Sequence, residues 1–265
     1  MSNMQILQRH ETFKRIDNRN QFHRVKFTIE QDGNYYIGYL KARQENPSDL
    51  SQLQDVQQVQ TTGRGPKLQP HWTITLPTNE SHVKKPAIDD LVNPKLESQM
   101  EHEIQVWEII KQHPHPALAV YHGCVESEGR ASGLVFTQYE ETLSQRVNPG
   151  RLCKRDFIAS GRPLVQPWMR RWLESIESGL GHLHSLGLVH NDITPANIML
   201  GDKNEAVIID CDSTCRIGES LVDKKRTYGW ADRNVTHAAP SNDLKSLGEL
   251  ETWLFGSANE LAWEG

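Results

Sequence analysis

The stretch Leu188–Asp212, LVHNDITPANIMLGDKNEAVIIDCD, constrains this chain more than any other. Three oxygen-bearing side chains, Asp192, Asn197 and Asp210, stand in the pattern H-x-D-x-x-x-x-N, then two short apolar runs, then D-x-x. Ile198-Met199-Leu200 and Ala206-Val207-Ile208-Ile209, with Gly201-Asp202 between them, read as a hairpin of short, buried strands. A hairpin returns the chain on itself, so Asn197 and Asp210, 13 residues apart, can meet at one ion. Asp192 alone could be a turn residue and Asn197 alone a strand cap. Their joint spacing from Asp210, between a clear helix and an apolar hairpin, makes the pattern specific.

The surroundings are consistent with an α+β chain. Over 24–42, Val25, Phe27 and Ile29 alternate, Asp32-Gly33 supplies a turn and Tyr35-Tyr36-Ile37 returns, which predicts a hairpin. Residues 43–71, rich in Gln, Asn, Ser, Pro and Gly, read as a linker or long surface loop. Trp72–Leu76 reads as a short strand and His82–Lys85 as a possible second one. Met100, Ile104, Trp107 and Ile110 predict a helix over 94–112, ended by His113-Pro114-His115-Pro116. Leu118–Tyr121 and Gly133–Phe136 read as paired strands about a polar turn at 126–132. The clearest helix is 167–186, where Met169, Leu173, Ile176, Leu180 and Leu183 form one apolar stripe between Pro167 and Gly187.

The 188–212 pattern resembles the catalytic loop and metal-binding loop of protein kinases. The resemblance implies that Asp192 orients an acceptor hydroxyl, and that Asn197 and Asp210 give magnesium the oxygen ligands a hard cation prefers. Upstream, Glu103 in EIQVWEIIKQHPHP resembles the helix-C glutamate of that family, with a spacing about one residue longer than usual. Such a Glu pairs with a strand lysine that holds phosphates. Lys84 and Lys85 both qualify, only one can point inward from an alternating strand, and Lys84 is favoured. Gly133–Tyr139 resembles the strand entering an adenine-binding hinge, with Phe136 as gatekeeper and the backbone of Thr137 and Tyr139 as hydrogen-bonding groups; a plain core strand explains it as well. HPHPALAVYHGC, TLSQRV, HLHSLGLVHNDITPANIML and IIDCDS resemble a compact, divergent kinase-like group common in filamentous fungi. The expected fold is a bilobal protein-kinase-like one with a truncated C-lobe. An extension with a β-hairpin would span 1–60, an N-lobe 61–139, and a short C-lobe 140–265 ending near helix F. ATP and Mg2+ are the implied cofactors, and a protein substrate is possible.

Several residues depart from that family. Asn191 stands where an Arg usually binds a phosphorylated loop, which argues against control by loop phosphorylation. Thr194 replaces a Lys that helps neutralise the transferred phosphoryl. Asp210-Cys211-Asp212 keeps the metal-binding Asp, loses the following Gly and adds a carboxylate, read as a ligand or, preferably, a solvated turn residue. Thr62-Gly63-Arg64-Gly65 is a weak candidate for a Gly-rich loop. Thr227–Trp230 resembles the end of an activation segment, and Asp243 the helix-F residue that ties back to the catalytic loop. These departures keep two rivals open beside a protein kinase: a pseudokinase acting as a binding module, and a small-molecule kinase.

Composition excludes other classes. A net charge of -5 without a Lys/Arg block argues against nucleic-acid and membrane-surface binding. No apolar run approaches the roughly 20 residues of a membrane span, and the N-terminus carries no signal-peptide core. Four cysteines without a C-x-x-C pair read as reduced thiols in a cytoplasmic or nuclear protein. Cys211 and Cys215 read as packing residues, as do Trp168, Trp172, Trp230 and Trp253. His113, His115 and His122 beside Cys124 lack zinc-ligand spacing and read as loop histidines.

Overall fold

The computed structural model describes residues 4–16 and 19–263. In chain order these carry β1 (Met4–Ile16), β2 (Arg19–Gln31), β3 (Asn34–Leu40), β4 (Gln54–Val59), β5 (Ser81–Lys84), α1 (Leu96–Gln112), β6 (Tyr121–Ser127) and β7 (Arg130–Thr137). There follow β8 (Glu141–Thr142), α2 (Leu143–Val147), α3 (Lys154–Ala159), α4 (Arg170–Ser185), β9 (Leu188–Val189), β10 (Ile198–Leu200), β11 (Ala206–Ile208), β12 (Cys215–Arg216) and α5 (Pro240–Phe255). The chain forms two compact units. One comprises 1–69, 84–98 and 126–133; the other comprises 70–83, 99–125 and 134–265. Among the described residues, no helix is long and apolar enough to cross a membrane.

The first unit is built on an antiparallel sheet in the order β1-β2-β3-β4. Val25, Phe27 and Ile29 on alternate positions of β2 are fully buried, with Leu53 beside them and Met4, Ile6, Phe22, Leu40 and Leu50 packed around. Asp32 and Gly33 both adopt positive φ (52° and 77°), the two-residue turn that matches strand twist. The expected hairpin is therefore present and extended on both sides. The linker reading of 43–71 is corrected: β4 lies within it and pairs with β3. Residues 60–80, by contrast, form no strand, and Thr62–Gly65 forms no hairpin.

A three-stranded sheet has the order β5-β7-β6. The Trp107 ring lies edge-on to Phe136 at 4.9 Å and 6.2 Å from Tyr121. The expected strand at 72–76 is reduced to one isolated bridge, Ile74 to Cys124. Thr73 is instead held by Glu108, which accepts from its N–H (2.7 Å) and its hydroxyl (3.0 Å). The expected strand at 118–121 starts only at Tyr121. Residues 117–119 run beside β11, with Ala119 N–H donating to Ile208 O (3.0 Å) and Ile208 N–H to Ala117 O (2.8 Å).

Helix α4 follows a 3-10 turn at Pro167–Met169, and Ile176, Leu180 and Leu183 on its stripe are fully buried. Gly179 lets the helix come close: a Cβ there would sit 3.1 Å from both Ala117 Cβ and Ile208 Cδ1. β10 and β11 form the expected hairpin, Ile198 opposite Ile208. Trp172 and Trp253 are buried, whereas Trp168 is 42 % exposed and is no core anchor. Among the four free cysteines, Cys124, Cys211 and Cys215 are buried and Cys153 is exposed; burial pushes the Cys124 thiol up to about 11.

Two outcomes are expected. Phe27→Ala should destabilise the first unit by about 3–5 kcal/mol in a urea melt, since no solvent relieves the cavity. A thiol-reactive probe at neutral pH should label the native protein at Cys153 and reach the other three only on unfolding.

Candidate active site

The site is assembled around a buried carboxylate. Asp243, in the first turn of α5, is fully buried. It accepts from the N–H of Asn191 (2.7 Å) and of His190 (2.9 Å), and its Oδ2 lies 2.8 Å from His184 Nε2. The loop after β9 is thereby fixed at its backbone. His190 carries the order onward. Its Nδ1 accepts from Asp192 N–H (3.3 Å) and its Nε2 donates to Ile209 O (3.0 Å), an arrangement that requires the Nε2–H tautomer. One buried ring thus links Asp192 to the residue before Asp210.

Asn191 explains its own presence. Its φ is 65°, a left-handed conformation that Asn tolerates better than most residues. Its amide donates to Val189 O (2.8 Å) and Ser213 O (3.2 Å) and accepts from Asn242 (3.1 Å). The side chain is a buried structural tie.

Asp192 is half-buried and held from two sides. Asn197 Nδ2 donates to its carbonyl (2.9 Å) and its carboxylate (3.0 Å). Thr227 donates its N–H to Oδ1 (2.7 Å) and its hydroxyl to Oδ2 (2.9 Å). With the nitrogen of the Asn197 amide on Asp192, its oxygen is the end left for a cation. Ile209 N–H donates to Asn197 O (3.0 Å) at the open end of the β10–β11 hairpin. Asn197 and Asp210 therefore start from adjacent backbone positions, as the hairpin reading required.

Asp210, at φ 64°, joins Glu103 and Asp212 in a cluster whose carboxylate oxygens lie within 4.8 Å of one another. Helix α1 is tied to this loop by His102, whose Nε2 lies 2.5 Å from Thr214 O, and Glu103 accepts from Trp107 Nε1 (3.3 Å). Three carboxylates grouped in this way form a hard donor set of the kind a divalent cation prefers. The reading of Asp212 as a solvated turn residue captures its exposure but not this grouping. A cavity of about 260 Å³ is lined by Asp192, Asp210, Asp212, Ser213, Lys225, Arg226 and Thr227.

The remaining expected residues fall as follows. Lys84 ends β5 and is half-buried, while Lys85 is exposed. Phe136 is buried against Trp107 and Tyr121. Thr137 N–H donates to Val120 O (3.0 Å) and the Tyr139 hydroxyl accepts from Val120 N–H (3.2 Å). Thr194 is buried and accepts from Asn197 N–H through its carbonyl (3.0 Å) and hydroxyl (3.3 Å), so it supplies a turn and no charge. His115 stacks on His182 at 5.0 Å, in keeping with a loop histidine. The clamp by Thr227 and the ring of His190 were not identified from sequence, although both residues lie in recognisable motifs.

Asp243→Ala should cost about 3–5 kcal/mol in a denaturant melt, because two buried N–H groups lose a charged acceptor. Asp243→Asn should recover part of that loss by keeping an acceptor oxygen.

The family model for the protein kinase domain matches residues 58–235, about two thirds of the chain and all of the candidate residues from Lys84 to Thr227. A leaf rust 10 disease-resistance locus receptor-like protein kinase-like 1.4 of Arabidopsis thaliana is 33% identical over 106 residues, covering 39% of this chain and 15% of that protein. Mitogen-activated protein kinase kinase 7 of the same plant is 24% identical over 156 residues, covering 59% of this chain and 46% of that protein. The inactive serine/threonine-protein kinase PLK5 of Mus musculus is 34% identical over 70 residues, covering 25% of this chain and 12% of that protein. The matches thus span less than half the length of these relatives. Sequence and site geometry agree, and the chain belongs to the protein kinase domain family.

Proposed function

We propose that this chain is an ATP-dependent phosphotransferase of the serine/threonine protein kinase type. The observation that carries the reading is the placement of Asp192. Its carboxylate is aimed by Thr227 and Asn197, and it is joined through His190 to the residue before Asp210. In this reading Asp192 accepts a hydrogen bond from the acceptor hydroxyl and draws off its proton as phosphoryl transfer proceeds. Asn197 through its amide oxygen and Asp210 through its carboxylate hold magnesium with ATP. When bound, the ion neutralises charge on the phosphate oxygens. Lys84 takes the phosphates. Adenine lies against the end of β7 at Phe136 and Thr137, bonded by the carbonyl of Thr137, whose N–H is already used, and by the backbone of Tyr139. Protein substrates, a bilobal arrangement, membership of the compact fungal group and a cytoplasmic or nuclear site belong to the same proposal.

A pseudokinase is the second reading. It is favoured by the buried Thr194 where the family places a lysine, and by residues 60–80, which form no strand where a Gly-rich hairpin would cover the phosphates. A small-molecule kinase is the third outcome, in keeping with Asn191.

Phosphate transfer from ATP to peptide and metabolite panels, with thermal-shift titration of ATP and Mg2+, separates the three. Asp192→Ala should lower turnover by about 10²–10⁴-fold while keeping the magnesium-dependent shift. Asp210→Ala should lose both. Turnover indifferent to both changes would sink the mechanism. Magnesium-dependent stabilisation without turnover selects the pseudokinase, and labelling of small alcohols alone selects the third reading.

A further inference from the structure

We propose that the buried pair Lys154–Glu249 is a positioning device that holds the 226–230 segment so that Thr227 can orient Asp192. Lys154 opens α3 and Glu249 lies in α5; they are 5 % and 2 % exposed. The Lys154 ammonium donates both to Glu249 Oε1 and to the carbonyl of Gly229. The same ammonium lies 4.0 Å from the centroid of the Trp230 ring. Trp230 is fixed further by Ser246, whose hydroxyl donates to its carbonyl (3.0 Å), and by an edge contact with Trp253 at 5.6 Å. Trp230 N–H donates to Thr227 O (3.2 Å), and Thr227 makes the two bonds into the Asp192 carboxylate. The second carboxylate oxygen of Glu249 accepts from Ala262 N–H (2.7 Å), and Oε1 lies 3.3 Å from Trp263 N.

The chemistry of the pair explains why it suits this task. Burial lowers the pKa of Lys154 and the facing Glu249 carboxylate opposes that shift. An apolar pair of equal volume would serve stability as well or better, because the desolvation of two charges offsets their attraction. Glu249 stands among Leu247, Leu250, Trp253 and Leu254 on the inward side of α5, a setting that holds a carboxylate only where partners meet it. An ammonium, unlike a methyl group, can bind a loop carbonyl and an aromatic face together. The pair is therefore accounted for by what it holds.

The proposal deepens the kinase reading and rests on it only for its activity arm. The test compares wild type with Lys154→Met/Glu249→Leu, which replaces both charges by apolar groups of similar size. Amide hydrogen exchange should leave α4 protected while the amides of Thr227 and Trp230 exchange ~10-fold faster or more. If the chain turns over ATP, kcat should fall ~10-fold with KM for ATP unchanged, since the nucleotide ligands are untouched. Unchanged protection at Thr227 in a folded double variant overturns the proposal whether or not the chain is active. Should the double variant not fold, native-state exchange of the wild type in rising urea decides. Thr227, Trp230 and Ala262 should then open together, before α4, and a Thr227 amide that opens independently of Ala262 overturns the proposal.

Discussion

Everything chemical in this chain hangs on the Asp243 carboxylate. A fully buried charge is tolerated only where donors converge on it, and here two backbone N–H groups and an imidazole do so. The donors come from residues 184, 190 and 191, so satisfying one carboxylate fixes the end of α4 and the start of the 190–197 loop against α5. The buried imidazole of His190 then passes that order to both Asp192 and the β10–β11 hairpin. The loop needs little further stabilisation of its own. Its residues are free to be chosen for chemistry, which is the usual division between a rigid scaffold and the loops it carries.

The departures from the family pattern take on physical meaning in this frame. Asn191 supports a left-handed backbone and bridges three segments, a task for a short amide and not for a long cation. Thr194 closes the turn that presents Asn197. Both changes strengthen the internal wiring of the loop and remove positive charge from its surface. The acidic side is reinforced in turn, because Asp212 joins Glu103 and Asp210.

Much of this was legible in the sequence, for identifiable reasons. The stripe of α4 and the β10–β11 hairpin sit deep in the core, so burial imprints their periodicity directly on residue type. Asp243 was legible as a motif, and its role as a tie followed. The sheet at the N-terminus was only half legible. β2 alternates because Val25, Phe27 and Ile29 are buried, but β1 is largely exposed and its register shifts near Leu7 and between Thr12 and Phe13 break the two-residue period. β4 is an edge strand, buried only at Val59, so its Gln-rich sequence reads as loop. Trp72–Leu76 misled in the opposite sense. Its alternation is real, yet Thr73 is held by Glu108 and no ladder forms. The Thr227 clamp was beyond sequence because it joins residues 35 positions apart through a hydroxyl that no periodicity marks.

The central claim is that Asn197 and Asp210 form a cation–nucleotide site beside an oriented Asp192. Electron paramagnetic resonance of Mn2+ as a magnesium substitute, titrated with ATP, tests it most directly because it needs neither turnover nor a known acceptor. The account predicts Mn2+–ATP binding to the wild-type chain that is lost in Asp210→Asn and kept in Asp192→Asn. Equal binding by wild type and Asp210→Asn, or none by the folded wild type, would contradict it.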